Sequence, residues 1–186
     1  MRPDHPAPAG FFALKQSRAL LQAAVLASAL VAVPASAQLV TPDPDWKESD
    51  TPAPPAFSLD RLIVLDMPRG ALRYGIDPAS VSVGPDGIVR YVVVASSATG
   101  TTNAMYEGIR CGAAEVKVYA RHNSDSGWTP VRDAVWRPLH DNHPSRHSLT
   151  IARTGACMGH APNRSAAQIV RDLRAPVDLR FSTETR

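Results

Sequence analysis

The stretch from Val81 to Ser96, VSVGPDGIVRYVVVAS, constrains the fold more than any other part of this chain. Two apolar runs flank the turn signal Gly84-Pro85-Asp86-Gly87, which is the pattern of a β-hairpin. Residues 88–95 are apolar on both faces except for Arg90. Such a run is typical of a central strand that other parts of the protein cover on both sides.

Further β-like runs at 61–67, 105–111 and 115–122 are separated by short polar or glycine-containing connections. Short connections favour neighbouring antiparallel strands, so we predict a β-meander of about five or six strands. Residues 131–136 fit either a single helical turn or an irregular strand. Trp128 and Trp136 are expected to pack over the sheet.

The C-terminal part of the chain predicts one helix. Ser165 and Gln168 have the spacing of a capping box, and Pro176 ends the pattern. The apolar stripe between them consists of Ala166, Ile169, Val170 and Leu173. The predicted fold class is therefore α+β, with an antiparallel meander packed against a C-terminal helix.

The first 37 residues have the features of an export signal. A positive start is followed by an apolar run at 19–33 and by the small residues PASA at 34–37, which suit a signal peptidase. The run is shorter than the about 20 residues of a membrane-spanning helix, although an uncleaved anchor is the alternative. We expect cleavage after Ala37, a periplasmic location, and no integral membrane segment in the mature protein.

Cleavage would leave 149 of the 186 residues, enough for one domain with a core. Removing the leader's three basic residues and one acidic residue from 20 and 17 leaves 17 and 16, a net charge of +1. Without a basic stripe or an aromatic stacking run, we predict no nucleic-acid partner.

Residues 38–56 contain five prolines and predict an extended tether, followed by a single domain at 57–186. Trp46 either anchors this tether to the domain or is exposed for a partner.

The two cysteines, Cys111 and Cys157, are predicted to form a structural disulfide. Exported proteins occupy compartments where disulfides persist, and closing this loop would contribute at most roughly 4 kcal/mol. Strand alternation places Cys111 on one face with Glu107 and Ile109, which favours a buried bond. Two free thiols or a catalytic thiol are the alternatives, but a C-x-x-C pair is absent from the sequence.

Two sets of polar residues are candidates for chemistry or binding. Glu107 shares its predicted face with apolar residues, so we expect it to pair with Arg90, Arg110 or a backbone amide. Tyr106 and Arg110 lie across Gly108 on the opposite predicted face, and Tyr106, Glu107 and Arg110 together form our candidate ligand region. A lone carboxylate is weak support for catalysis, because acid–base chemistry normally needs a second positioned group.

The second set is the segment LHDNHPSRHSL, which contains His140, Asp141, His143 and His147. Imidazole and carboxylate groups are ligands for zinc or copper. However, Pro144 prevents a helix that would place 143 and 147 on one face, and H-E-x-x-H is absent from the sequence. We therefore favour a polar surface loop with solvated histidines over a metal site, and we predict no cofactor.

Several blocks along the chain resemble one family: DWKE after a leader and a proline-rich segment, VRYVVV, NAMYEGIRC, VKVYA, WRPL, and a second cysteine before a short helix. In this order they resemble the CNP-like family of exported proteobacterial proteins, named after a cryptic neisserial protein. The resemblance covers roughly residues 45–174, and YEGIRC at 106–111 is its most distinctive block. It implies a single exported domain of uncharacterised function without assigned catalytic residues.

The sequence therefore favours a non-enzymatic envelope domain that binds an envelope protein, a wall component or a small ligand through the Tyr106/Glu107/Arg110 region. The alternative is a hydrolase or metal-dependent enzyme that uses Glu107 or the His140/His143/His147 loop. A scaffold without any ligand is a third possibility. No nucleophile elbow, S-x-x-K motif or phosphate-binding glycine loop is present in the sequence to support the enzyme.

Overall fold

The computed structural model describes residues 44–67, 70–139 and 146–175. The predicted leader and the first residues of the predicted tether lie outside this range. Within it, no helix is long and apolar enough to cross a membrane.

An antiparallel sheet of eight strands forms the centre of the fold. Six strands follow the order β1-β2-β4-β5-β6-β7, while β3 pairs with β4 and β8 pairs with β6. Their bounds are β1 Ile63–Val64, β2 Leu72–Ile76, β3 Ser82–Val83, β4 Ile88–Ser97, β5 Thr102–Arg110, β6 Glu115–Asn123, β7 Gly127–Pro130 and β8 Arg137–Pro138. A separate hairpin joins β9 Cys157–Met158 to β10 Ala161–Pro162.

The long strands β4, β5 and β6 form the predicted meander, and the short strand β7 extends it; each strand pairs with the next along the chain. The predicted hairpin is also present, since Val83 pairs with Val89 across the turn. Gly87 and Gly100 have φ angles of 75° and 87° in the turns before and after β4, a conformation that residues with a Cβ rarely adopt. The turn sequences therefore fix the order of the strands.

The prediction of five or six strands was too low. Strands β1 and β3 lie within the predicted runs, whereas β7 and β8 were not predicted and have only four and two residues, too few to show an alternating pattern. The five-residue strand β2 also went unpredicted, although it pairs along its length with β4. Three of its residues are not buried, so the apolar run that marks a strand is missing.

One face of the sheet, which we call the helical face, packs against the C-terminal part of the chain. Helix α1 spans His147–Ile151 and continues into a π-helical turn at Ala152–Ala156, while helix α2 spans Ala166–Arg174. The prediction of a single helix was therefore incomplete, since α1 lies where a loop was expected. Buried side chains of this core include Ile76, Tyr91, Val93, Ile109, Ile151, Ile169 and Leu173.

Helix α2 follows the sequence prediction closely. Ser165 is its N-cap and accepts a hydrogen bond from the backbone amide of Gln168, as the capping-box spacing indicated. A Cβ atom at Gly155 would lie 2.7 Å from the side chain of Leu173, so only glycine allows the π-helical turn to approach α2 this closely. The predicted disulfide between Cys111 and Cys157 is confirmed, with Cα atoms 5.7 Å apart.

Residues 44–62, which we call the N-terminal strap, have no helix or strand and pack on the opposite face. Phe57 and Leu62 of the strap pack against the buried core of this face, formed by Val92, Val94, Ala104, Tyr106 and Ala120. Strand β4 is consequently buried from Ile88 to Ala95. The prediction of a central strand covered on both sides is confirmed, and the strap supplies the second cover through Phe57 and Leu62.

Candidate functional site

The three residues of the predicted ligand region lie on different sides of β5. Glu107 faces the helical core, whereas Tyr106 is buried in the opposite core beneath the strap. Arg110 lies on the strap side, where its guanidinium carbon is 4.2 Å from the centroid of the Trp46 ring. The fold therefore does not bring all three side chains into one groove.

Glu107 is the centre of a buried polar network on the helical face. Its carboxylate accepts hydrogen bonds from the hydroxyl of Tyr91 at 2.9 Å and from that of Ser148 at 3.1 Å. Nε2 of His147 lies 3.0 and 3.1 Å from the two carboxylate oxygens. In the tautomer with a proton on Nε2, the ring donates to this carboxylate. Both oxygens of Glu107 are satisfied within the protein.

The expected partners of Glu107 were wrong. Arg90 pairs across the sheet with Gly108, which places its side chain on the strap face. Arg110 lies on that face too and forms an ion pair with Glu115 at 2.8 Å. Strand alternation predicts which face each residue takes, but the real partners of Glu107 come from β4 and α1, far away in sequence.

His147 is buried, not solvated as the loop interpretation predicted. Its residue exposure is 1%, and its ring stacks on Tyr74 with centroids 4.6 Å apart and planes 14° apart. Among the described residues, Nδ1 of His147 has no hydrogen-bond partner. The ring is thus buried between the stacked ring of Tyr74 and the carboxylate of Glu107.

Burial, together with the charge of Glu107, raises the pKa of Tyr91 well above its ordinary value. The same two causes raise the pKa of Tyr74. Tyr91 is consequently a neutral hydrogen-bond donor to Glu107 throughout the physiological pH range.

A cavity of about 580 Å³ lies beside this network. Its floor is the helical face of β2, β4, β5 and β6, one wall is the segment 131–139, and α1 contributes the end wall. The apolar and aromatic residues that line it include Leu72, Tyr74, Met105, Val116, Val118, Val135 and Leu149. Its lining also contains the charged residues Glu107, Arg121, Asp133 and Arg137, and Ser148 adds a hydroxyl group.

The arrangement of Ser148, Glu107 and His147 is not a hydrolytic triad. In a triad the histidine accepts the serine proton and the carboxylate orients the histidine. Here both Ser148 and His147 bond directly to Glu107, so the histidine does not lie between the hydroxyl and the carboxylate as it does in a triad. The network can hold a pocket wall in place, and it positions a hydroxyl and a carboxylate at the edge of an apolar cavity.

The predicted metal candidates fall into two groups. His140, Asp141 and His143 lie outside the described residues. His147 is described and contacts one carboxylate. In the described ranges, no group of three or more histidine, cysteine or acidic side chains could hold a metal ion.

A second polar cluster lies on the strap face and is centred on Asp86. Its carboxylate receives two hydrogen bonds from Arg90, at 2.7 and 3.1 Å, and two from the backbone and hydroxyl of Ser49. Burial opposes ionisation, but the bonds from Arg90 and Ser49 outweigh it and hold the pKa of Asp86 well below its ordinary value. The indole of Trp46 donates to the carbonyl of Asp86 at 2.9 Å, so Trp46 anchors the strap, one of its two predicted roles.

Glu48 makes the second attachment of the strap. Its carboxylate accepts hydrogen bonds from Lys117 at 2.9 Å, from the hydroxyl of Tyr119 at 2.8 Å and from the indole of Trp136 at 3.2 Å. Burial opposes ionisation, but these bonds and the charge of Lys117 lower the pKa of Glu48 overall. Trp136 therefore packs on the sheet, as predicted, through contacts with the strap.

This lowered pKa predicts how the strap responds to acid. Because the folded pKa of Glu48 is below its unfolded value, its contribution is complete at neutral pH and decreases as the pH falls below about 4. We expect Glu48→Gln to cost about 1 kcal/mol of unfolding free energy at pH 7 and progressively less below pH 4. Urea unfolding across this range measures the difference. The exposed Asp60→Asn variant is the control, and a pH-independent loss in Glu48→Gln would contradict the prediction.

The sequence profile of the CNP1-like family matches residues 41–174. The chain belongs to the CNP1-like family. The family match begins just before the described strap and ends with the last residue of α2, so it includes the Glu107 network, the strap anchors and both cysteines. No curated protein and no solved structure matches this family member.

Sequence reasoning singled out Glu107 in this CNP1-like domain but missed Tyr74, Tyr91 and Ser148. Tyr91 had a detectable signal, since it lies two positions from Val89 and Val93 on the same face of a predicted strand. Tyr74 and Ser148 gave none, because their strand and helix were not predicted.

Proposed function

We propose that this protein is an exported periplasmic domain that binds a small, largely apolar ligand in the cavity beside Glu107. The single observation that carries the proposal is the cavity itself. Its volume of about 580 Å³ is within the roughly 300–1,000 Å³ of typical ligand pockets. Its apolar walls and few positioned polar groups are also typical of such sites.

The construction of the cavity supports binding of a ligand in a preformed site. Its floor consists of paired strands, and Tyr74 is held in place by stacking on His147. The carboxylate of Glu107 is fixed by three side-chain donors. A rigid pocket loses little conformational entropy on binding, so more of the contact energy appears as affinity.

The location in the periplasm is supported by two features. The N-terminal sequence has the charge, apolar run and small residues of a cleaved leader. The disulfide between Cys111 and Cys157 suits an oxidising compartment. Of the three residues in our sequence-based ligand region, only Glu107 lines the cavity, so the proposed site is centred there.

The experiment fills the cavity with a side chain. Ala134 lines it and is half-buried in the segment 131–139, so Ala134→Trp should occupy part of its volume. We expect protein isolated from the periplasm to bind the neutral apolar dye Nile red, and Ala134→Trp to lower that affinity at least tenfold. The intact mass of the same preparation reports cleavage after Ala37. Fluorescence titration measures the affinity.

The matched control is Ala98→Trp, which adds the same side chain at an exposed position outside the cavity lining. This variant should bind the dye like the unmodified protein. Equal affinities of the two tryptophan variants, or no saturable binding to the unmodified protein, would overturn the proposed site.

A further inference from the structure

A second cavity, of about 600 Å³, adjoins the first. It is lined by residues 64–67, 70 and 72–74, and it shares Leu72 and Tyr74 with the first cavity. Leu72 and Tyr74 therefore lie at the boundary between the two cavities and line both of them. The two cavities together form a longer groove that passes over the side chains of β2.

Exposed apolar side chains are concentrated along this groove. Five large hydrophobic side chains are exposed among the described residues. Three of them border the two cavities: Val64 at 68%, Leu72 at 44% and Val135 at 53% exposure. Exposed apolar surface that is clustered in this way marks an interaction site. Val64 pairs with Gly75, which pairs with Val94, so its side chain lies on the strap face. The uncovered apolar surface of the groove is therefore at Val135 and at Leu72, on the boundary between the cavities.

The length of the groove favours a chain over a compact molecule. From β2 to β6 the first cavity crosses β4 and β5, which is three interstrand spacings or roughly 14 Å. The second cavity extends the groove further, past β2 towards β1. A flexible apolar chain can follow such a path, whereas a compact ligand would fill only one of the cavities.

The charges on the first cavity favour an anionic group on that chain. Arg121 and Arg137 both line it, and neither forms an ion pair with any described residue. Nη1 of Arg121 donates instead to the sulfur of Met105 at 3.2 Å, a weak acceptor. Among the described lining residues, Asp133 is the only acid besides Glu107, whose oxygens already have internal partners. The two guanidinium groups are thus available to a carboxylate, which arginine binds well.

An apolar peptide fits the groove less well than an acyl chain. Peptides that bind to sheets add a strand to a free edge and use backbone hydrogen bonds. Strands β4 and β5, at the centre of the floor, are paired on both edges, so they offer no backbone groups to a peptide. The centre of the floor presents side chains only, and most of these are apolar.

We propose, on the basis of the proposed function, that the ligand is a free long-chain fatty acid. Its carboxylate binds Arg121 and Arg137, and its alkyl chain follows the groove across Leu72 and Tyr74 into the second cavity. Recognition is consequently by chain length and by negative charge, and the polar network at Glu107 limits how deeply the chain can enter the sheet.

The chain-length experiment measures displacement of Nile red by octanoate, dodecanoate and palmitate. We expect the affinity to rise with length, by up to roughly fourfold for each buried methylene group. Leu72→Ser should weaken palmitate roughly fivefold while leaving octanoate unchanged, because only the longer chain crosses the boundary between the cavities. Leu59→Ser is the matched control, since Leu59 is also exposed, at 51%, but lies outside both linings.

The head-group experiment compares dodecanoate with dodecanol and dodecylammonium. We expect dodecanoate to bind best. Arg121→Gln and Arg137→Gln should each weaken dodecanoate up to about fivefold and leave dodecanol unchanged. Circular dichroism verifies that each variant folds. Both positions are exposed, so the substitutions should not disturb the fold.

The outcomes separate this inference from the proposed function. Binding of Nile red without displacement by any fatty acid would overturn the fatty-acid inference and leave the pocket in place, whereas absence of dye binding would overturn both. Equal affinity for dodecanol and dodecanoate would overturn the role of the arginines. The identification of the ligand as a free fatty acid would be overturned if the protein bound phospholipid from vesicles more tightly than palmitate. Tighter binding of an apolar peptide than of palmitate would overturn it as well.

Discussion

Asp86→Ala should destabilise the protein more than any other single change on the strap face. We expect the free energy of unfolding to fall by about 3–5 kcal/mol, the usual cost of removing one partner from a buried ion pair. The side chains of Arg90 and Asp86 are 2% and 1% exposed, so the guanidinium would remain charged without a counterion. Guanidinium chloride unfolding followed by tryptophan fluorescence measures the loss.

The position of Asp86 in the turn before β4 explains the size of the effect. Besides binding Arg90, its carboxylate accepts from the backbone amide of Ile88 at 3.1 Å and from Ser49. One side chain thus closes the β3–β4 hairpin, neutralises the charge on the central strand and attaches the strap. All three interactions would be lost together.

A second substitution distinguishes the stranded charge from a general defect of the turn. In Asp86→Ala combined with Arg90→Met, no charge remains buried, so part of the stability should return. Asp60→Ala, at an exposed position of the strap, controls for loss of a carboxylate and should change stability by less than about 0.5 kcal/mol. If the double variant is no more stable than Asp86→Ala, the ion pair is not the main source of the effect.

The sequence predicted much of this fold because several patterns act locally. The turn before β4, the two-sided apolar run and the Ser165 cap each depend on residues within a few positions of one another. The disulfide was predicted from the expected export of the protein and from strand alternation. These elements could be placed without knowing what packs against them.

The strap shows what could not be predicted in this way. Its polar, proline-rich sequence lacks the periodicity of a helix or strand, so it was expected to be an extended tether. In the structure Trp46, Glu48 and Ser49 each bond to groups at least 37 positions away. Attachment by single long-range hydrogen bonds leaves no periodic signal in the sequence, even though it determines one cover of the sheet.

The candidate site was only partly predictable, because strand alternation is a local pattern whereas the partners of Glu107 are distant in sequence. Alternation along β5 placed Glu107 on the face of Ile109 and Cys111, which the structure confirms. Its donors were not predictable, because Tyr91 and His147 lie 16 and 40 positions away. His147 in particular was interpreted as part of a polar loop, since its neighbours in sequence are polar, whereas its neighbours in space are Tyr74 and Glu107.

Glu107→Ala should lower the free energy of unfolding by about 4 kcal/mol, because it leaves several buried donors without an acceptor at about 1–3 kcal/mol each. Tyr91 and His147 are both 1% exposed, so water cannot readily replace the carboxylate. Thermal and denaturant unfolding of the disulfide-bonded protein measure the loss.

Ser148→Ala is the informative comparison for Glu107→Ala. It removes one donor and leaves the carboxylate with two others, so we expect a loss of only about 1 kcal/mol. Glu107→Gln keeps the size of the side chain and one acceptor oxygen, and its cost should lie between the two. Because the network forms one wall of the cavity, dye affinity should decrease in the same order as stability. An alanine variant of Glu107 that is as stable as Ser148→Ala would show that the carboxylate does not hold the core together, and Glu107 would then be free to serve a ligand directly.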